Sequence, residues 1–266
     1  CGENEFDFSK AEKFVNDNKN KTINFDKVEV KIKTSIPKPL YNLTDIQQAA
    51  SALFGLSPKQ TLNIIQRLYE SHKVLTYPRT DSRYLTTDMK NTLADRLRAI
   101  GGDYKEITAK LLREKDFNMK RIINNSKVSD HHAIIPTEQK PNYMSLSDTE
   151  LKIYNLVVKR FLENLLPDYK YEETSYSFKL DNKVFTAKST KVIQLGFKEL
   201  SRSEIEDKKI SFSTKEFSLD SLQYNKKQTT PPSYYTEGSL IYAMENPFEF
   251  VDNDNERKIL KQTNGI

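Results

Sequence analysis

Alternating apolar and polar residues mark two β-rich stretches, one near each end of the chain. Residues 22–36, TINFDKVEVKIKTSI, alternate and are rich in β-branched types, which predicts a strand ending before Pro37. Alternation returns from Tyr169 onward in YEETSYSFKL, KVFTAKST and ISFSTKEFSL, and Asp181 with Asn182 separates the first two. β structure is therefore expected on both sides of the middle of the chain.

The middle of the chain has helical periodicity. Thr44 and Asp45 are candidate N-caps for IQQAASALF, Gly55 can end that helix, and Ser57 with Pro58 opens a second through KQTLNIIQRLYES. After a strand-like VLTY and the loop PRTDSRY, further helices are predicted in TDMKNTLADRLRAI, ITAKLLREK and SDTELKIYNLVVKRFLENL, and near the end in YTEGSLIYAMEN and ERKILKQT.

The simplest topology for this order is an α+β fold with a helical domain inserted into a β-rich domain. We expect residues 1–38 and 166–230 to form the discontinuous β-rich domain and residues 39–165 the helical insertion. Residues 231–266 are expected to begin a further helical domain that is cut short.

Composition narrows the class of protein. The chain has 266 residues, 36% hydrophobic and 30% charged, with 14 Tyr and 14 Phe, which favours a folded globular protein over disorder. No apolar run approaches the roughly 20 residues of a membrane span and the start is not signal-like, so no membrane association and a cytoplasmic location are expected. Cys1 is the only cysteine, and the net charge of +5 permits nucleic-acid binding without requiring it.

The loop that begins at Tyr77 holds the residues best suited to chemistry. Its phenol lies two residues from Arg79 and four from Asp81. A tyrosine hydroxyl can attack phosphorus if it is activated and the phosphate charge is neutralised, and a guanidinium can neutralise that charge bidentately. By residue chemistry alone, a packing tyrosine at a strand end is the more common explanation. Thr80, Asp81 and Ser82 are expected to shape the loop through side-chain to backbone hydrogen bonds.

Longer motifs change that balance. The stretch LTDIQQAASALFGLSPKQTLNIIQRLYESHKVLTYPRTDSRYL resembles the active-tyrosine region of type IA DNA topoisomerases, especially the bacterial topoisomerase III branch. VSDHHAIIPT and TPPSYYTEGSL match the family's later motifs in the expected order, so the resemblance covers nearly the whole chain.

The resemblance implies roles for particular residues. Tyr77 matches the nucleophile that forms a 5′-phosphotyrosyl link to single-stranded DNA, and Arg79 matches the arginine that steadies the tyrosine and the phosphate. Of the adjacent histidines only His131 matches the family histidine near the phosphate. The residues that are candidate DNA phosphate contacts are Lys59, Lys73 and Arg83.

The resemblance also implies a domain plan and a cofactor. The β-rich segments would form an arch, the helical insertion a gate, and the last residues the start of a base domain. The family holds Mg²⁺ in a toprim domain, and no matching motif precedes Tyr77, so the fragment is expected to lack metal ligands and to be inactive alone. Residues 252–256, DNDNE, are interpreted as a polar loop and helix cap.

Two other classes of function stay open on sequence grounds. The chain could be a standalone single-stranded DNA-binding module in which Tyr77 stacks on a base, or a structural protein without a nucleic-acid role, which the low net charge favours. The topoisomerase interpretation predicts ATP-independent relaxation or decatenation by the parent enzyme, with a helicase as a possible partner.

Overall fold

The protein is described by a computed structural model that covers residues 6–114, 117–201, 210 and 216–262. The helices are α1 Phe8–Asn18, α2 Leu43–Phe54, α3 Pro58–Glu70, α4 Leu93–Ala99, α5 Lys105–Glu114, α6 Asp148–Leu165, α7 Glu237–Glu245 and α8 Asp254–Gln262. The strands are β1 Thr22–Ser35, β2 Tyr169–Leu180, β3 Lys183–Gln194 and β4 Glu216–Ser218. Short 3₁₀ turns occupy Thr87–Thr92, Gly102–Tyr104, Met119–Arg121, Asn125–Lys127, Gly196–Leu200 and Pro247–Phe250.

The chain divides into two compact units. The sheet unit comprises Cys1–Ile36 and Asp168–Pro232, and the helical unit comprises Pro37–Pro167 and Ser233–Ile266. The mixture of helix and antiparallel sheet agrees with the predicted α+β class. None of the helices in the described ranges is both long and apolar enough to cross a bilayer.

The sheet unit is an antiparallel sheet of strand order β3-β2-β1-β4. Asp181, at φ 48°, and Asn182 make the two-residue turn between β2 and β3, as predicted from their position between two alternating runs. The core of the sheet unit consists of Ile23, Phe178 and Leu180, and partly buried aromatic and aliphatic side chains cover it, among them Phe14 of α1. This contact accounts for α1, a helix that the polar sequence before Asn24 did not predict.

The predicted helix boundaries are mostly confirmed. Gly55 ends α2 in the left-handed conformation at φ 67°, and Ser57 caps α3 in a reciprocal capping box with Gln60. The cap of α2 was predicted wrongly at Thr44 or Asp45. Asn42 is the cap, and its side chain accepts from the Asp45 amide at 2.8 Å.

The predicted strands are only partly represented. VLTY contributes a single antiparallel β-bridge, between Leu75 and Pro136. The residues on either side of Leu75 are in loop conformation, so the pairing does not extend into a strand. Within ISFSTKEFSL, β4 forms at Glu216–Ser218, and residues 211–215 lie outside the described part of the chain.

Residues 233–262 pack within the helical unit. Helix α7 lies against α2, where a Cβ atom at Gly238 would stand 2.9 Å from the Ser51 Cβ, so only glycine fits. The Thr44 hydroxyl also donates to the Glu245 carboxylate. Asn253 accepts from the Asn255 amide at 2.9 Å, in agreement with the loop and cap interpretation of residues 252–256. The assignment of residues 231–266 to a further domain stays a prediction.

Glu150 joins two helices of the helical unit. It completes the capping box of α6 by accepting from the Ser147 amide at 2.8 Å, and its other oxygen lies 3.1 Å from Arg67 Nη2 and 3.6 Å from His72 Nε2. Its side chain is only 2% exposed. Burial acts to raise the pKa of Glu150, but the Ser147 hydrogen bonds and the charges of Arg67 and His72 outweigh it and hold the pKa below its usual value.

We expect Glu150 to make the helical unit sensitive to acid. Because its folded pKa lies below the usual 4.5, the carboxylate contributes stability above that pH that is lost as pH falls through the folded value. Urea unfolding of Glu150→Gln should therefore show a weaker decline of the free energy of unfolding below about pH 5.

The matched control is Glu106→Gln, at an exposed position of α5. It should retain the acid dependence of the unchanged chain. Equal acid dependence in the Glu150→Gln and Glu106→Gln variants would contradict this role for Glu150.

Candidate active site

Backbone pairing with a distant segment holds the residue before Tyr77 in place. The Thr76 amide donates to the Ile135 carbonyl at 3.0 Å. The Thr76 hydroxyl donates to the Ala133 carbonyl at 3.1 Å and accepts from the Ile135 amide at 3.0 Å. Residues 133–136 are buried. The backbone next to Tyr77 is therefore hydrogen-bonded to buried residues, although the loop itself has almost no regular secondary structure.

Two hydroxyls shape the loop after Tyr77, as predicted. The buried Thr80 hydroxyl donates to the His131 carbonyl at 2.9 Å and accepts from the Ser82 amide at 3.1 Å. The Ser82 hydroxyl donates to the Lys127 carbonyl at 2.7 Å. Asp81 differs from the prediction, because its side chain is exposed and its contact is made by the backbone. The Asp81 carbonyl accepts a hydrogen bond from the Asn42 side chain at 3.3 Å.

Arg96 fixes the other end of the histidine segment. This buried residue of α4 donates to the Pro136 carbonyl at 2.7 Å and to the Thr92 hydroxyl at 3.0 Å, and it pairs with Glu138 at 2.7 Å. Burial lowers the pKa of Arg96, and the Glu138 carboxylate opposes that effect. The segment from His131 to Glu138 is thus held from the loop side and from the helix side.

The ring of Tyr77 lies between two other rings. Its centroid is 4.2 Å from that of His131, with 40° between the planes, and 5.5 Å from that of Tyr69 in a T-shaped arrangement of 80°. Tyr77 is half-buried. No hydrogen bond to its hydroxyl is found within the described residues, so the specific contacts of this side chain there are the two aromatic ones.

Arg79 is exposed, and no ion pair or hydrogen bond of its guanidinium is found within the described ranges. A planar cation that is not engaged by the protein can receive two oxygens of a phosphate. Arg79 therefore has the exposure that its predicted role requires.

The two adjacent histidines differ in environment. His131 is exposed, whereas His132 is half-buried and its Nδ1 donates to the Ala133 carbonyl at 2.8 Å. Burial lowers the pKa of His132, which favours the neutral ring at pH 7. His132 is thus placed as a packing residue, and His131 is the histidine beside Tyr77.

The three candidate DNA contacts also differ. Lys59, near the start of α3, and Lys73, at φ 57° beyond its end, are exposed. Arg83 instead binds Asp45 through two hydrogen bonds, Nε to Oδ2 at 2.5 Å and Nη2 to Oδ1 at 3.0 Å. The hydrogen bond to Asp45 raises the pKa of Arg83. Any phosphate at Arg83 would have to compete with this carboxylate.

The described residues do not supply a metal site. No group of three or more His, Cys, Asp or Glu side chains in this part of the chain is arranged to hold a cation. The described residues around Tyr77 therefore do not fit Mg²⁺.

Comparisons with known proteins identify the family of the chain. Residues 2–253 match the family model described as DNA topoisomerase. The chain belongs to the DNA topoisomerase family. The DNA topoisomerase 3 of Staphylococcus haemolyticus (strain JCSC1435) is 46% identical over 261 residues, and that of Staphylococcus aureus (strain USA300) is 44% identical over 260 residues. These matches confirm the resemblance to type IA topoisomerases of the topoisomerase III branch.

The matches also show how much of the relatives this topoisomerase chain spans. They cover 96% of the chain but 37% of each of the two relatives. The full-length topoisomerase I of Thermotoga maritima has a similar fold, with a TM-score of 0.66 and 22% identity over 92% of this chain and 40% of that one.

We expect the Thr80 hydroxyl to be necessary for the shape of the topoisomerase site. Thr80→Val removes a buried hydroxyl and leaves the Ser82 amide without its acceptor, which should cost roughly 1–3 kcal/mol of unfolding free energy. Urea unfolding measures the loss, and amide exchange at Ser82 should accelerate.

Thr34→Val, which removes an exposed hydroxyl in β1, is the control for the change of residue type. It should leave Ser82 exchange unchanged. Unaltered exchange of Ser82 in Thr80→Val would contradict the bridging role.

Proposed function

We propose that the chain is the tyrosine-bearing part of a type IA DNA topoisomerase and that Tyr77 is its nucleophile. The Tyr77 oxygen would attack a phosphodiester of single-stranded DNA. The bond from that oxygen to phosphorus forms, the bond from phosphorus to the 3′ oxygen breaks, the phenol loses a proton and the 3′ oxygen gains one. The observation that carries the proposal is a half-buried ring between His131 and Tyr69 with an unengaged hydroxyl.

Arg79 and His131 would act on the phosphate. The exposed Arg79 guanidinium can pair with its oxygens and stabilise the charge that develops during attack. His131, whose ring packs beside the nucleophile, is the second catalytic group. Lys59 and Lys73 are exposed and would contact flanking phosphates, with Arg83 joining them only if it leaves Asp45.

The phosphotyrosyl link conserves the energy of the phosphodiester, so resealing by the 3′-hydroxyl needs no ATP. Passage of another strand through the break would relax or decatenate DNA. In this scheme residues 1–38 and 166–230 form the arch, residues 39–165 the gate, and residues 231–266 begin the base domain. The division into a sheet unit and a helical unit supports the arch and the gate, whereas the last residues, Ser233–Ile266, group with the helical unit. A cytoplasmic location and a helicase partner belong to the same proposal.

Mg²⁺ would be held by a toprim domain outside these residues. The proposal is supported by the 37% coverage of the relatives. The chain on its own is therefore expected not to relax a negatively supercoiled plasmid in the presence of Mg²⁺. Relaxation by the purified chain that disappears in Tyr77→Phe would contradict this expectation.

The decisive experiment uses a chimera in which residues 1–266 replace the aligned region of the S. haemolyticus DNA topoisomerase 3. With Mg²⁺ and a 3′-labelled single-stranded oligonucleotide, the label should become covalently attached to protein, because Tyr77 would hold the 5′ phosphate of the downstream fragment. Tyr77→Phe should abolish the attachment on a denaturing gel.

Tyr84→Phe is the control, since it removes a phenol from the same loop. It should retain the covalent product. A chimera that binds the oligonucleotide and never cleaves it would instead favour the single-stranded DNA-binding module, with Tyr77 as a stacking residue.

A further inference from the structure

Two aromatic rings contact the side chain of Tyr77, and one of them has no role in the proposed chemistry. His131 lies against Tyr77 at 4.2 Å, and Tyr69 meets it in the T-shaped arrangement at 5.5 Å. A T-shaped pair at this separation is an attractive geometry, because the positive edge of one ring faces the negative face of the other. Tyr69 therefore restricts the directions in which the Tyr77 ring can turn.

Tyr69 is poorly placed to be a core residue. It is 37% exposed, whereas its neighbour Leu68 and Ile65, one turn earlier, are fully buried. Its hydroxyl has no hydrogen bond within the described residues. The contact with Tyr77 is thus the specific interaction that its side chain makes, and loss of the ring should disturb the fold little.

The helix end that carries Tyr69 is anchored by contacts with the following chain and with α6. Tyr69 lies in the last turn of α3, and the chain folds back over this turn, with the Val74 amide donating to the Leu68 carbonyl at 2.9 Å. Arg67, in the same turn, reaches the buried Glu150 of α6 at 3.1 Å. An aromatic ring on an anchored helix end can limit the rotation of a neighbouring side chain.

We infer that Tyr69 is a positioning residue for the reaction, which holds the Tyr77 ring so that its oxygen points to the phosphate. This inference rests on the proposed nucleophilic role of Tyr77. The need for it is physical: the Tyr77 hydroxyl has no hydrogen bond within the described part of the chain, so ring packing must supply the orientation that attack requires. The aromatic ring of Tyr69 matters for this role, and the Tyr69 hydroxyl does not.

Three variants of the chimera described above test the inference by single-turnover cleavage. Tyr69→Leu should lower the cleavage rate about two- to tenfold without weakening oligonucleotide binding, since it removes the ring contact. Tyr69→Phe keeps the ring and should cleave as the unchanged chimera does. Tyr171→Leu breaks a different aromatic pair, with Tyr169 at 5.1 Å, and should also cleave normally.

The outcomes distinguish failure of the positioning role of Tyr69 from failure of the proposed nucleophilic role of Tyr77. Cleavage that depends on Tyr77 but is equally fast in Tyr69→Leu would overturn the positioning role and leave the proposed function intact. Weakened binding with an unchanged rate would assign Tyr69 to DNA contact and would also overturn it. Loss of cleavage in both Tyr69→Leu and Tyr69→Phe would point to the hydroxyl and contradict a role of the ring.

A second measurement needs no cleavage at all. In the 266-residue chain with ¹³C-labelled tyrosine, the ring signals of Tyr77 should shift in Tyr69→Leu, because the ring current of a near neighbour is lost. They should stay in place in Tyr69→Phe. An unshifted Tyr77 signal in Tyr69→Leu would overturn the inference even if the chimera were inactive and the proposed function had failed.

Discussion

The hydrogen bond from the Thr80 hydroxyl to the His131 carbonyl joins residues 51 positions apart, and the candidate site depends on it. The Thr76 hydroxyl makes the neighbouring link to Ala133, and Ser82 makes the link to Lys127. These side-chain hydroxyls join the two segments by hydrogen bonds, as backbone hydrogen bonds join neighbouring strands in a sheet. The loop therefore has no regular secondary structure, and the Arg79 side chain is exposed. The hydrogen bonds nevertheless hold the loop where Tyr77 contacts His131.

Local signals made much of the fold predictable. Gly55, Ser57 and the Asp181–Asn182 turn act through their own backbone preferences, so sequence alone could locate α2, α3 and the β2–β3 hairpin. Helix α1 escaped prediction because its polar sequence shows little of the contact by which Phe14 covers the sheet. The cap of α2 was misplaced by two or three residues because several capping types stand together at Asn42, Thr44 and Asp45.

The site was predictable by motif and not by geometry. Sequence indicated Tyr77, Arg79 and His131 through their family pattern, but nothing in the spacing showed that Tyr69 returns to the nucleophile, because that depends on the reversal of the chain after α3. The arginines make the same point. Arg79 is exposed, Arg83 binds Asp45 and Arg96 is buried against Pro136, and these environments are set by residues far away in sequence.

The pairing of Arg83 with Asp45 bears on how binding would respond to ionic strength. A cation already paired with a carboxylate brings little net charge to a phosphate, so it displaces few of the counterions condensed on the DNA and adds little to the entropy gained on association. Each phosphate neutralised on a single strand steepens the plot of log affinity against log salt by about 0.7. The number of basic residues around Tyr77 would then overstate that slope, because the Asp45 carboxylate offsets the charge of one of them.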